Sequence, residues 1–246
     1  MFPMASSNEA SEKTNLRIIE KINRIEILPE FADFRKVIFD NLNSRIQAGS
    51  RCNVIDIGRS LREYSPKVEK LVDSYFTADI NDLDNVDFLF DLCDASTIPG
   101  GLNERFSDVV ALAILEHTWQ PFEAAKNMKN FLDLAENPGR IWIFAPFLYP
   151  YHAPKTLVFQ DFFRYTRDSY AVLFPDAAKI TVSPARGRLE TGLHYLLPFY
   201  KKYFEIGKLS VVKPFFKFLD KLVYSVRSRQ LQASGYNVLI EYDAIH

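Results

Sequence analysis

The sequence predicts an α/β fold in which a mostly parallel sheet is covered by helices on both faces. From residue 53 onward, short β-branched segments alternate with amphipathic helical segments. The run Val109–Leu115 is apolar without interruption, which is typical of a central strand buried on both faces. We expect strand direction to change only at the last edge of the sheet. The predicted strands are 53–57, 75–80, 107–114, 140–145, 178–183 and 236–242, and the predicted helices are 66–73, 121–135 and 167–174.

The order of these segments predicts four parts. Residues 1–48 would form an N-terminal helical cap of two amphipathic helices, 13–28 and 30–47, interrupted at Pro29. The others are a core at 49–186, an aromatic and basic helical insertion or lid at 187–232, and a final strand within 233–246.

Composition excludes several function classes. The chain has 246 residues and a net charge of −1, so its overall charge gives no argument for nucleic-acid binding. Cys52 and Cys93 make no disulfide framework, which indicates a reducing, cytoplasmic compartment. The four histidines lie far apart without zinc-ligand spacing, so the sequence predicts no metal site. The N-terminus lacks a secretory signal pattern, and no apolar run reaches the ~20 residues that span a bilayer.

The end of the first core strand carries the strongest functional signal. Strand 53–57 runs into Gly58, and the next strand ends at Asp79. These two strand ends can lie side by side in an α/β sheet. A glycine lets a ligand approach the backbone, and a carboxylate can accept hydrogen bonds from both hydroxyls of a ribose. The pair therefore predicts an adenosine-containing cofactor.

Further landmarks follow in a characteristic order. They are Asp56-Ile-Gly58, Asp79, Asp91-Leu-Cys-Asp94-Ala95, Leu115-Glu116-His117, Pro121, Ala145-Pro146, His152 and Asp161-Phe-Phe-Arg164-Tyr-Thr. Over about residues 50–175 this order resembles the class I S-adenosylmethionine-dependent methyltransferases, closest to the type 11 domain with its Rossmann-like fold. The late His…Asp-Phe-Phe-Arg-Tyr-Thr run is similar to a subgroup associated with surface-glycan biosynthesis.

The resemblance implies S-adenosylmethionine as the cofactor. The cofactor-binding residues that it implies are Asp56, Gly58, Ser60, Asp79, Ile80, Asp94, Ala95 and Leu115. Asp79 would hold the ribose and Asp94 the adenine amino group. Leu115, Glu116 and His117 would line the space near the reactive methyl group. Asp56 could instead accept hydrogen bonds from the backbone of the following loop. Ser60 stands where the family has a second glycine.

The acceptor side is predicted from residues that follow the strands at 107–114 and 140–145. His117 or His152 could serve as a general base for an attacking hydroxyl. His117 could equally pack against Trp119. Tyr151, Asp161 and Arg164 are candidates for substrate binding, although Asp161 and Arg164 could pair with each other and fix the loop.

The predicted reaction is methyl transfer to an oxygen of a small or glycan-type acceptor, free or lipid-linked, with nitrogen as the less favoured acceptor atom. Residues 199–230 carry eight Lys or Arg against two acidic residues among many aromatics. This composition is compatible with peripheral membrane contact, a homodimer surface or a packed lid. Two other functions stay open. Ser60 suggests a non-catalytic binding protein on a degenerate methyltransferase fold, and a nicotinamide-dependent oxidoreductase is disfavoured because no G-x-G-x-x-G follows the first strand.

Overall fold

The computed structural model describes residues 5–29, 33–82, 86–135, 137–153, 159–187 and 233–245, with isolated positions between 188 and 232. Five α-helices lie in these ranges: α1 (Ala5–Asn23), α2 (Phe34–Gln47), α3 (Ser65–Glu69), α4 (Pro121–Asn130) and α5 (Ser169–Leu173). The strands there are β1 (Glu26–Ile27), β2 (Asn53–Ile57), β3 (Ser74–Asp79), β4 (Phe88–Leu89), β5 (Asp108–Leu112), β6 (Gly139–Pro146), β7 (Lys179–Pro184) and β8 (Gly235–Tyr242). The expected insertion at 187–232, including its basic segment 199–230, lies almost wholly outside the described residues.

The strands form one sheet in the order β1-β7-β8-β6-β5-β2-β3-β4. All described pairings are parallel except those of β8, which runs antiparallel to both β6 and β7. The predicted Rossmann-like α/β fold is therefore confirmed. The change of direction was expected at the last edge, and this was wrong, because β8 inserts between two parallel strands.

Helices cover both faces of the sheet. On one face, α4 and α5 bury a cluster that includes Ala125, Met128 and Tyr170 against the aliphatic side chains of the central strands. On the other face, α2 and α3 pack on a second cluster around Val110 and Trp142. Because β5 is covered on both faces, all of its residues are buried, as its unbroken apolar sequence predicted.

The two N-terminal helices do not form one cap. Ile22 at the end of α1 packs with the cluster of α4 and α5, whereas Ile38 and Leu42 of α2 are buried on the opposite face. Between them, Glu26 and Ile27 pair with β7 as a short edge strand. The helical spacing predicted for 13–28 was therefore wrong at its end, since the sheet edge supplies backbone partners there.

A buried ion pair ties α2 to the central strand. The Arg45 guanidinium donates to both carboxylate oxygens of Asp108 at 2.8 Å, and the Asp108 side chain is fully buried. Trp142 Nε1 donates to the same carboxylate at 3.0 Å, and the hydroxyl of Ser107 donates at 2.7 Å. Both oxygens of the Asp108 carboxylate thus accept hydrogen bonds, which helps to offset the cost of burying the charge.

Two predicted elements end earlier than expected, and both ends matter for the site. Strand β5 stops at Leu112 because Ala113 has a left-handed backbone, with φ 61°. Helix α4 stops at Asn130 because the chain then pairs with the segment before β5, through a bridge between Phe106 and Leu132.

Among the described residues, no helix combines the length and apolar character needed to cross a membrane.

Candidate functional site

The loop after β2 begins with a glycine that no other residue could replace without strain. Gly58 has φ +71°, a conformation that L-residues rarely adopt. A Cβ there would lie 2.2 Å from Cδ1 of Ile114. The N–H of Gly58 donates to the carbonyl of Ala78 at 2.7 Å, which joins the ends of β2 and β3. The chain therefore needs glycine at position 58, where the turn after β2 begins.

Asp56 holds this loop from beneath. Its carboxylate accepts from the N–H groups of Ser60 at 2.6 Å and Leu61 at 3.0 Å, and from the hydroxyl of Tyr75 at 2.8 Å. Burial raises the pKa of Asp56 to about 6 against these hydrogen bonds, which favour ionisation. Asp56 is fully buried and does not line the cavity described below. Its assignment to cofactor binding is therefore corrected to the alternative reading, a support for the loop backbone.

Ser60 links the loop to β5. Its hydroxyl donates to the carbonyl of Ile57 at 2.6 Å and accepts from the N–H of Leu112 at 2.9 Å. Arg35 of α2 donates to the Ser60 carbonyl at 2.7 Å. A serine at this position thus contributes hydrogen bonds that a glycine could not, and it still lines the cavity.

A cavity of about 430 Å³ opens over the carboxyl ends of β2, β3 and β5, where open α/β sheets bind their ligands. Its walls are mostly apolar. The lining residues are Ile57, Gly58, Ser60, Arg62, Asp79, Ile80, Phe90, Asp91, Leu92, Cys93, Leu112, Ala113, Ile114, His117, Thr118, Trp119, Phe159, Gln160 and Phe162. Of the predicted cofactor residues, Gly58, Ser60, Asp79 and Ile80 lie here together.

Asp79 is placed as the sequence predicted, at the end of β3 on the cavity wall. Its Oδ1 accepts from the backbone N–H of Asn81 at 2.8 Å and from the Asn81 side chain at 3.1 Å. These bonds fix the carboxylate at the strand end. Ile80 beside it adds an apolar surface to the same wall.

Asp94 and Ala95 do not line the cavity, so their predicted roles are corrected. Asp94 is exposed and caps a short 3-10 helix by accepting from the N–H of Ser96 at 2.9 Å. The three residues directly before Asp94 line the cavity instead: Asp91, Leu92 and Cys93. An aspartate before a turn is also ordinary capping chemistry, and this turn uses Asp94 in that way.

Leu115 is corrected in the same sense. It is fully buried, and its carbonyl accepts hydrogen bonds from the hydroxyls of Thr118 and Tyr165 at 2.7 and 2.9 Å. The left-handed backbone at Ala113 interrupts the side-chain alternation that a straight strand end would continue. Ala113 and Ile114 therefore face the cavity in place of Leu115.

His117 lies on the cavity wall, close to the predicted place. Its Nδ1 is 2.9 Å from the carbonyl of Gln160, and its ring packs on Phe159 at 4.4 Å between centroids. The alternative contact with Trp119 is not the one the ring makes. A neutral His117 that donates from Nδ1 to this carbonyl keeps the lone pair on Nε2.

His152 meets His117 although 35 positions separate them in the sequence. The two rings pack edge to face at 5.1 Å, and His152 Nε2 lies 3.4 Å from Oε1 of Glu116. The Glu116 carboxylate beside it raises the pKa of His152. Glu116 is fully buried, and neither of its carboxylate oxygens has a hydrogen bond of standard geometry within the described chain.

The predicted substrate-binding residues hold the His152 loop and do not line the cavity. Arg164 pairs with Asp161 through both its terminal nitrogens and donates from Nε to the carbonyl of Tyr149 at 3.2 Å. Asp161 also accepts from the backbone N–H of His152 at 3.0 Å. Tyr151 is exposed and bonds Gln160 at 2.8 Å. The structural alternative, a loop-fixing pair, is therefore the one this geometry supports.

Sequence reasoning missed two groups at this site. Glu116 was expected, by resemblance, only to line the space near the reactive methyl group, because a carboxylate after a strand gives no signal of its burial. The aromatic rim of Trp119 and Phe162, exposed to 55% and 49%, was also missed. Exposed aromatic side chains at a cavity mouth are typical of binding sites, but only the fold shows where the mouth lies.

No family model matches this chain, and no curated protein matches it in sequence. Among solved structures, it is similar to a SAM-dependent methyltransferase from Archaeoglobus fulgidus, at 14% identity over 84% of this chain and 94% of that one, with a TM-score of 0.49. It is also similar to phosphoethanolamine N-methyltransferase 2 from Haemonchus contortus in complex with S-adenosyl-L-methionine, at 10% identity over 83% and 53%, with a TM-score of 0.47.

A third structure, the methyltransferase CalH in complex with SAH, matches at 18% identity over 43% of this chain and 35% of that one, with a TM-score of 0.35. This chain thus spans about a third of CalH and about half of the nematode enzyme. Likeness at these identities concerns the fold alone. The activity has to be argued from the cavity and the side chains around it.

Proposed function

We propose that this chain transfers the methyl group of S-adenosylmethionine to an oxygen of a small or glycan-type acceptor. The observation that carries the proposal is the cavity itself. It brings Gly58, Asp79 and His117 around one space of about 430 Å³ at the carboxyl ends of the central strands. A nucleoside cofactor requires a backbone turn and a carboxylate of this kind. A hydroxyl acceptor requires a group such as an imidazole that promotes loss of its proton.

The residues on the cavity wall fit the cofactor. Asp79 would accept the ribose hydroxyls, and the Gly58 turn, which has no room for a side chain, would receive the methionine part. Phe90, Leu92 and Ile80 offer apolar surface to the adenine. When bound, S-adenosylmethionine supplies an electrophilic methyl group on a positively charged sulfur.

The acceptor would enter past the aromatic rim. Trp119 and Phe162 give flat apolar contacts at the mouth, and His117 lies on the wall behind them. In the transfer, the acceptor oxygen forms a bond to the methyl carbon while the carbon–sulfur bond breaks and its electron pair stays on sulfur. The hydroxyl proton must leave, and the cluster of Glu116, His117 and His152 is the group placed to promote its loss.

Two finer parts of the proposal rest on the sequence. The run from His152 to Thr166 resembles a glycan-associated subgroup, which supports a glycan-type acceptor. The basic and aromatic segment 199–230 supports contact with a lipid-linked acceptor at an anionic membrane. Charge reversal at Lys213, Lys217 and Lys221 should then reduce co-sedimentation with anionic liposomes and spare cofactor binding. Unchanged co-sedimentation would remove the membrane from the proposal.

A thermal-shift comparison tests the core of the proposal. S-adenosylhomocysteine at 100 times its Kd should stabilise the folded chain by about 2.7 kcal/mol, and NAD should not stabilise it. His117→Ala and His152→Ala should lower turnover about 10²–10⁴-fold with a tritiated methyl donor and a hydroxyl acceptor. No stabilisation by S-adenosylhomocysteine would sink the proposal. Binding without transfer to any hydroxylated acceptor would favour the non-catalytic binding protein.

A further inference from the structure

We propose that Glu116, His117 and His152 bind one divalent transition-metal ion of the zinc type beside the cofactor cavity. Each of the three residues offers one ligand atom, and these atoms all lie within 4.8 Å of one another. Two imidazole nitrogens and one carboxylate make a known ligand set for catalytic zinc, in which a further coordination position stays open for water or substrate. The site was invisible in the linear spacing because a loop brings His152 to the other two.

The carboxylate of Glu116 lacks the partner that its burial demands. It is fully buried, and neither oxygen has a hydrogen bond of standard geometry among the described residues. A buried charge without a partner is costly, so such groups pair with a cation or coordinate a metal. Its ion-pair partners among the described residues are the two imidazoles, with Oε1 at 3.4 Å from His152 Nε2 and 3.7 Å from His117 Nε2.

Those separations suit one shared ion. Two ligand atoms that each lie about 2.1 Å from a tetrahedral ion are about 3.4 Å apart. The two observed distances from Glu116 Oε1 to the histidine nitrogens are also longer than a usual nitrogen–oxygen hydrogen bond, about 2.9 Å. The arrangement is therefore nearer to a coordination sphere than to a hydrogen-bonded histidine–glutamate pair.

Both imidazoles are held by their other nitrogen. His117 Nδ1 lies 2.9 Å from the carbonyl of Gln160, and His152 Nδ1 lies 3.2 Å from Oδ2 of Asp161 and 3.3 Å from the carbonyl of Pro150. These partners only accept, so each Nδ1 carries a hydrogen, and each ring in its neutral form presents the lone pair of Nε2. Metal-ligating histidines are held in this way by carboxylates and backbone carbonyls. The Nε2 lone pairs of neutral imidazoles would face the negatively charged Glu116 carboxylate and repel it. A cation bound between the three side chains removes this repulsion.

The role of the ion rests on the proposed methyl transfer. His117 belongs both to this cluster and to the cavity wall, so a hydroxyl on the acceptor could take the open coordination position. Coordination lowers the pKa of a bound hydroxyl, and its proton is then lost to solvent near neutral pH. The oxygen thus becomes the nucleophile without an imidazole base.

Metal binding is tested on the full chain after removal of bound metal with a chelator. Calorimetric titration with Zn²⁺ should give one site per chain, and Co²⁺ should give visible absorption bands of a low-symmetry nitrogen and oxygen site. Glu116→Gln, His117→Ala and His152→Ala should each weaken Zn²⁺ binding by at least about 100-fold, because each removes a ligand. Asp161→Asn, which only disturbs the orientation of His152, should weaken it about 10–100-fold.

The control is Glu123→Gln, which removes an exposed carboxylate paired with Lys126 and should leave the affinity unchanged. S-adenosylhomocysteine binding to Glu116→Gln and His152→Ala, whose side chains do not line the cavity, should persist and shows that these variants fold. Zn²⁺ binding that is absent from the parent chain, or that is as tight in all three ligand variants as in the parent chain, overturns the metal site alone. Loss of S-adenosylhomocysteine binding by the parent chain instead overturns the proposed function.

Discussion

The hydroxyl of Ser60 accepts a hydrogen bond from the N–H of Leu112 at 2.9 Å and joins the cofactor-side loop to the end of the central strand. The donor and the acceptor are both buried. The residue that departs from the family pattern is thus part of the architecture of the site. It does not support the reading of a degenerate loop.

Replacement of this hydroxyl should be costly. Ser60→Ala leaves the N–H of Leu112 without its side-chain acceptor and should lower the free energy of unfolding by about 1–3 kcal/mol. Urea denaturation measures the change. Ser96→Ala is a matched control, since the Ser96 hydroxyl is exposed and bonds only its neighbour Asp94 among the described contacts. Equal stabilities for the two variants would contradict the structural role of Ser60.

Asp79 and Asp94 should differ in cofactor binding. Asp79→Asn replaces the carboxylate on the cavity wall with an amide that matches two hydroxyl donors less well. We expect calorimetric affinity for S-adenosylhomocysteine to fall by about 1–3 kcal/mol. Asp94→Asn changes an exposed cap outside the cavity and should leave the affinity unchanged. The opposite ranking would restore the role that the sequence predicted for Asp94.

The stability of the fold should depend on pH through Asp56. Burial raises the pKa of Asp56 from 3.8 to about 6, so the folded chain keeps this proton over a range in which the unfolded chain loses it. The contribution of this group to the free energy of unfolding is then fully present below about pH 4. It is lost as pH rises to about 6, with a total of about 3 kcal/mol.

Asp56→Asn removes this titration. The difference in unfolding free energy between the parent chain and the variant should therefore change by about 3 kcal/mol between pH 4 and pH 6.5, in favour of the parent at low pH. Denaturation at a series of pH values measures it, and the subtraction cancels the other carboxyl groups. A flat difference would show that Asp56 ionises in the fold at its ordinary pKa.

The buried pair of Arg45 and Asp108 should dominate the anchoring of α2. Arg45→Met leaves a fully buried carboxylate without its counter-charge and should cost about 3–5 kcal/mol of stability. Lys36→Met breaks an exposed pair with Asp40 on the same helix and should have little effect on stability. Chemical denaturation compares the two. Similar small losses would mean that Trp142 and Ser107 are sufficient partners for Asp108.

Periodicity predicted the sheet because strand burial leaves a direct trace in sequence. The six predicted strands were found within about two residues, since β-branched and apolar runs mark them. The two strands of two residues, β1 and β4, gave little trace of this kind. The strand at Glu26–Ile27 was read as helix because the partner that makes it extended, β7, lies more than 150 positions away.

By itself, the sequence determined the α/β fold, the need for glycine at position 58 and the placement of Asp79 at a strand end. These features depend on local chemistry: strand propensity, a left-handed turn and the carboxyl end of a strand. Only the tertiary structure decided that Leu115 is core, that Asp94 caps a turn and that Glu116, His117 and His152 meet. The left-handed backbone at Ala113 ends the strand before Leu115, and the loop after β6 brings His152 to His117. Neither the backbone conformation of a single residue nor a contact between distant residues leaves a periodic signal in the sequence. Both features are therefore seen only in the three-dimensional structure.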